Sequence, residues 1–204
     1  MGSEDLFKRH KPSTIPQLQR NKATKSGKET ILIVCEGSKT EPLYLNSLLI
    51  YLGLKPRVDV DEIVVDSRKS GLDPSGLLKH AIKLFDNKQK QGFTYDRVYC
   101  IFDKDSHTKY ESTCDKIKNN PLKKKGSIMY DITSVPCFEV WLLLHFSDSS
   151  APFHPTGSRS CCEQVIEKLK VCAGFADYKK GGVYTFEKTV DKLDIQRFQH
   201  QRVT

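Results

Sequence analysis

No stretch of the 204-residue chain approaches the eighteen or more apolar residues of a membrane span, and the leading Met-Gly-Ser-Glu-Asp lacks the apolar run of a secretory signal. A soluble, cytoplasmic protein is expected, with no membrane partner. No two of the seven cysteines stand at Cys-x-x-Cys spacing, which removes the usual sequence sign of a zinc or dithiol centre. Their number is odd and includes the adjacent Cys161 and Cys162, so a reducing compartment is expected and no disulfide is required. Cys35 and Cys100 lie inside apolar runs and read as small buried hydrophobes. The phosphate-loop pattern Gly-x-x-x-x-Gly-Lys-Ser/Thr is missing, so any ATP hydrolysis belongs to another chain. There is no internal repeat.

The hydrophobic fraction of 38% over this length suits a single α/β domain with tails. A net charge of +8 favours a polyanionic partner such as nucleic acid. Part of that excess lies in the leading segment, where residues 1–29 hold seven Lys or Arg against three Asp or Glu. Residues 1–28 carry Pro12 and Pro16 and show no periodicity, which predicts a flexible basic arm. Lys8-Arg9-His10-Lys11 in that arm, and the five lysines from Lys116 to Lys125, read either as phosphate contacts or as solvated surface.

From Glu29 the pattern alternates between strands and helices. Thr30 to Cys35 is a β-branched apolar run fit for a strand buried on both faces. After Gly37-Ser38-Lys39, Thr40-Glu41-Pro42 opens a helix with Thr40 as N-cap, and Gly53 closes it. Val58 to Val65 predicts a second strand, Asp73-Pro74 starts a second helix, and Asp96 to Phe102 predicts a third strand ending in Asp103-Lys104-Asp105. A polar helix over 108–119, a fourth strand over 127–133, an apolar and deeply buried helix over Pro136 to Phe146, and polar helices over 158–170 and 184–193 follow. Phe138, Trp141 and Phe146 are expected in the core. This order predicts a mainly parallel sheet of about four strands flanked by helices, over residues 29–146, with a helical extension over 147–204.

In such a sheet the carboxyl ends of the strands share one edge, where ligands bind. Glu36 ends the first strand, and Asp103 and Asp105 end the third. If the two strands are neighbours, three carboxylates meet, and they repel and take up protons unless a cation neutralises them. All-oxygen ligands favour Mg²⁺ (or Mn²⁺) bridging to phosphate. Taken alone, Asp-x-Asp reads equally well as a solvated loop that caps the next helix. Lys39 could meet a phosphate from the helix start, and His107 could serve as proton donor or ligand, although both read as surface residues too.

The runs "ILIVCEGSKTEPLYL", "DRVYCIFDKDSH" and "SVPCFEVWLLLHF" resemble, in order and spacing, the RloB-like family of Toprim-like (Rossmann-like) proteins from bacterial restriction and abortive-infection loci. Val135 departs from that pattern, since the family often has Asn before Pro-Cys-Phe-Glu. The resemblance implies a Mg²⁺-dependent nuclease that cleaves phosphodiester bonds in DNA or RNA during anti-phage defence, beside an ATPase partner protein from the same locus. It implies Glu36 as general acid, general base or metal ligand, and Asp103 and Asp105 as metal ligands. Glu139 is a further acidic candidate whose bland reading is a favourable charge at a helix start. Lys39, Lys123, Lys124 and Lys125 are candidate phosphate contacts. Family members commonly carry more helical sequence after the position of Leu193, which raises the expectation of a truncated C-terminus. Two other readings stand beside this one: a phosphatase using Asp103 and Asp105 as nucleophile and acid, and a catalytically silent subunit that binds nucleic acid or protein.

Overall fold

The computed structural model describes residues 29–54, 63–66, 72–104, 107–147 and 152–180. The basic arm, Asp105, the first part of the expected second strand and the helix expected over 184–193 lie outside the described residues.

Within them the order is β1 (Ile31–Cys35), α1 (Thr40–Tyr51), β2 (Ile63–Asp66), α2 (Pro74–Lys90), β3 (Arg97–Asp103), α3 (Tyr110–Lys118), a 3₁₀ turn (Lys123–Lys125), β4 (Ile128–Ser134), α4 (Glu139–Leu144) and α5 (Cys161–Lys170). The strands lie in the order β2-β1-β3-β4 and every pairing is parallel. The register sets Cys35 against Ile101 and Asp103 against Ser134, so β1, β3 and β4 end at a common edge. This is the α/β arrangement with a parallel sheet that strand-helix alternation dictates.

Alternating side chains of the strands feed two cores. On one face Leu32, Val34, Val98, Cys100, Phe102 and Met129 pack with Leu77, Ala81 and Phe85 of α2 and Ile117 of α3. On the other, Cys35 and Ile101 pack with Tyr44 of α1, Leu142 of α4, Leu169 of α5, Phe175 and Tyr178. Cys35 and Cys100 are buried free thiols, as their apolar settings require, and burial pushes the Cys100 thiol up to about 12. They are packing residues. Helix α2 starts where Asp73 accepts the Gly76 N–H at 2.7 Å, followed by Pro74 in the first turn.

Three local expectations are corrected. Thr40 is the first helical residue of α1 and not its cap, and its hydroxyl lies 3.4 Å from the Tyr178 hydroxyl across the core. The helix expected over Pro136 to Phe146 is the six-residue α4, and Trp141 on it is 38% exposed, with its indole N–H donating to the Tyr44 hydroxyl at 2.8 Å. A helix lying on one sheet face buries one stripe, here Glu139, Leu142 and Leu143, and turns the residue between outward even when that residue is apolar. Finally, Cys137 and Cys162 form a disulfide that the cysteine spacing gave no reason to expect. Among the described residues, no helix is long and apolar enough to cross a membrane.

Candidate functional site

The Glu36 N–H donates to the Ile101 carbonyl at 2.9 Å, which extends the β1–β3 ladder one residue past β1 and delivers the glutamate to the carboxyl edge of the sheet. There Glu36 Oε2 accepts the Asp103 N–H at 3.1 Å, and Oε1 lies 3.1 Å from Nε2 of His107. Glu36 thus ties the end of β3 to the loop beyond it. The chain then turns through Gly37, where a Cβ would run into the Glu41 carboxylate. Any larger residue there would push the Glu41 carboxylate out of this position.

A cleft of about 350 Å³ opens at this edge, lined by Gly37 to Glu41, Asp103, Phe138, Glu139 and Lys180. Each acid comes from a different element: Glu41 from the first turn of α1, Asp103 from the end of β3, and Glu139 from the start of α4 after β4. Glu41 is 9% exposed and Glu139 is 1% exposed. The Tyr178 hydroxyl donates to Glu139 Oε1 at 2.9 Å. Lys39 and Lys180 are the cations of the lining.

Electrostatics follow from this crowding. Burial, and next the charge of Glu41, raise the Asp103 carboxyl from 3.8 to about 7; Glu36 adds to the rise, while Lys180 and the Phe138 N–H oppose it. Glu41 is also pushed up, chiefly by burial and then by Glu139 and Glu36, with Lys180 again opposing. Crowded together out of bulk water, Asp103 and Glu41 hold their protons to higher pH than free carboxylates do, and a cation would replace those protons. The donors are oxygens facing a space large enough for hydrated metal and phosphate, a set that fits Mg²⁺ or Mn²⁺. Among the described residues, though, the group of three whose ligand atoms lie within 4.8 Å of one another is Cys137, Glu139 and Cys162. Among the described residues, which do not include Asp105, no three oxygen donors of the cleft come that close to one another, so water and substrate oxygens would complete a cation's shell.

Of the residues singled out in the sequence, Lys39, Asp103 and Glu139 meet in the cleft, with Glu36 beside them. Lys123, Lys124 and Lys125 do not join them. They precede β4 and therefore sit at the opposite edge of a parallel sheet, roughly 20 Å away along seven strand residues, and Lys125 pairs with Asp86. Two charged residues of the cleft, Glu41 and Lys180, were not singled out. Glu41 reads in the sequence as an ordinary acid in a helix first turn, and the Gly37 that makes room for it was the available signal. Lys180 reads as one lysine of a polar stretch, with no local signal at all.

A family model described as RloB-like protein matches residues 31–200. No curated protein and no solved structure matches the chain.

Proposed function

Because the chain belongs to the RloB-like protein family, we propose that it is a Mg²⁺-dependent, Toprim-like nuclease that cleaves phosphodiester bonds in DNA or RNA in bacterial anti-phage defence, alongside an ATPase partner. One observation carries this reading: Asp103, Glu41 and Glu139, from three separate elements, line one cleft at the carboxyl edge of the sheet, where the Asp103 carboxyl is raised to about 7.

Asp103, Glu41 and Glu139 would hold the cation, with Asp105 of the Asp-x-Asp pair as a further ligand and Glu36 as ligand or proton carrier. Bound there, the metal supplies Lewis-acid activation of the phosphoryl group and a hydroxide nucleophile. The chain's own residues do the rest. Lys39 and Lys180 offset the acids' repulsion of an incoming phosphate. Glu36 fixes the Asp103 backbone and holds His107 within proton-transfer distance of itself. The Tyr178 hydroxyl pins the Glu139 oxygen, so that acid meets the cation in one orientation.

The test incubates the protein with plasmid, single-stranded DNA and RNA, with Mg²⁺ or Mn²⁺ and with chelator. Wild-type protein cleaves at least one substrate only with metal, and Asp103→Ala and Glu41→Gln each lower the rate by 100-fold or more. Undiminished cleavage by Asp103→Ala removes the metal-site reading. That no three cleft oxygens lie within 4.8 Å of one another among the described residues favours a second reading, a catalytically silent subunit that binds nucleic acid or protein. Metal-insensitive binding without cleavage selects it.

A further inference from the structure

The disulfide joins two places that both bear on the cleft. Cys137 directly precedes Phe138 and Glu139 of the cleft lining. Cys162 lies in the first turn of α5, with its sulfur 3.6 Å from Glu139 Oε2 and 3.3 Å from Lys180 Nζ. Lys180 belongs to the same lining. The bond is therefore a strut at the back of the site, between an acid and a cation of the cleft. Its pairing is selective. The neighbouring Cys161 is a free thiol directed at the Phe153 carbonyl, 3.3 Å away, and the other four cysteines are free as well. The two sulfurs also differ in access, since Cys137 is 1% exposed while Cys162 is partly exposed, so a reductant arrives at Cys162.

We propose that Cys137 and Cys162 form a thiol–disulfide switch that sets the cation affinity of the Glu41–Asp103–Glu139 cleft. The proposal rests on the reading of that cleft as a cation site. In the reductive step a thiolate of a small dithiol attacks the Cys162 sulfur, and the Cys137 sulfur leaves as thiolate and takes up a proton. The dithiol's second thiolate then attacks its own sulfur in the mixed disulfide and releases Cys162, which is protonated in turn. The dithiol becomes a cyclic disulfide, and two electrons and two protons pass to the protein. Two thiols cannot stay at bonding distance, so the segment of Cys137 and α5 move apart by van der Waals repulsion. Glu139, two residues from Cys137, loses its covalent anchor and keeps the Tyr178 hydroxyl as its tie. An acid of the cation shell is then less well placed, and affinity falls.

The test prepares full-length protein without reductant, with dithiothreitol later removed anaerobically, and with diamide after reduction. Peptide mapping after native alkylation should show a Cys137–Cys162 link that dithiothreitol removes and diamide restores. Mn²⁺ titration followed by electron paramagnetic resonance should show the oxidised form binding at least threefold more tightly than the reduced form. Cys162→Ser should bind as the reduced form does in every buffer, and Cys161→Ser should keep the difference. Absence of the link, or a change in affinity below threefold in wild-type protein, overturns the switch, and neither result depends on a variant folding. Cleavage in neither redox state with the Mn²⁺ difference intact overturns the nuclease reading alone. Cleavage with equal affinities overturns the switch alone, and Mn²⁺ binding to neither form overturns both.

Discussion

Asp103 shows how a single side chain links stability to ligand binding. Its carboxyl holds a proton up to about 7 in the folded chain against 3.8 ordinarily, because burial and then Glu41 disfavour the charge. Between those values the folded state binds more protons than the unfolded state, so stability falls as pH rises. The contribution is fully present below about pH 4 and lost through about pH 7. Each tenfold gain in proton affinity is worth about 1.4 kcal/mol. With water reaching the cleft, Asp103→Asn should therefore stabilise the metal-free protein at pH 8 by on the order of 2 kcal/mol, and by much less at pH 5. Urea unfolding in chelator at the two pH values measures this, and a variant less stable than wild type at pH 8 would contradict the account. Cation binding must act in the opposite sense, improving as pH rises through 7. Glu36 is spent differently, since its two oxygens hold the Asp103 N–H and face His107.

At the scale of elements, the acids in and beside the cleft depend on how their own segments begin or end. Glu36 and Asp103 are delivered by strand ends, Glu41 and Glu139 by helix starts. Helix α5 matters to the site through Cys162, and its start is built from a capping box in which Ser160 accepts the Glu163 N–H and Glu163 accepts the Ser160 N–H. Ser160→Ala should cost about 1 kcal/mol by chemical denaturation. Because α5 carries one end of the strut, the same change should speed reduction of the disulfide, which timed alkylation with dithiothreitol would show. An unchanged reduction rate would mean that the strut, and not the cap, positions this turn.

For the whole molecule, the contrast is between a net charge of +8 and a cleft lined by three acids. Under the proposed function, a nucleic acid would be drawn by the first and repelled by the second until a cation filled it. Binding that favours the folded state adds RT ln(1 + [L]/Kd), about 2.7 kcal/mol at a hundredfold excess over Kd. For a chain of this length Mn²⁺ should then raise Tm by roughly 5–10 °C, and chelator should abolish the gain. A Tm indifferent to Mn²⁺ would count against a cation in the cleft. The sequence by itself determined the α/β alternation, the parallel sheet and the arrival of Glu36 and Asp103 at strand ends, because periodicity, turn residues and apolar runs are local properties written in consecutive residues. Only the tertiary structure decided that Glu41 and Lys180 join those acids, that Lys123 to Lys125 face the other edge, that Trp141 turns outward and that Cys137 meets Cys162. Those outcomes depend on strand order and on how helices settle over the sheet, which bring together residues as far apart as Gly37 and Lys180.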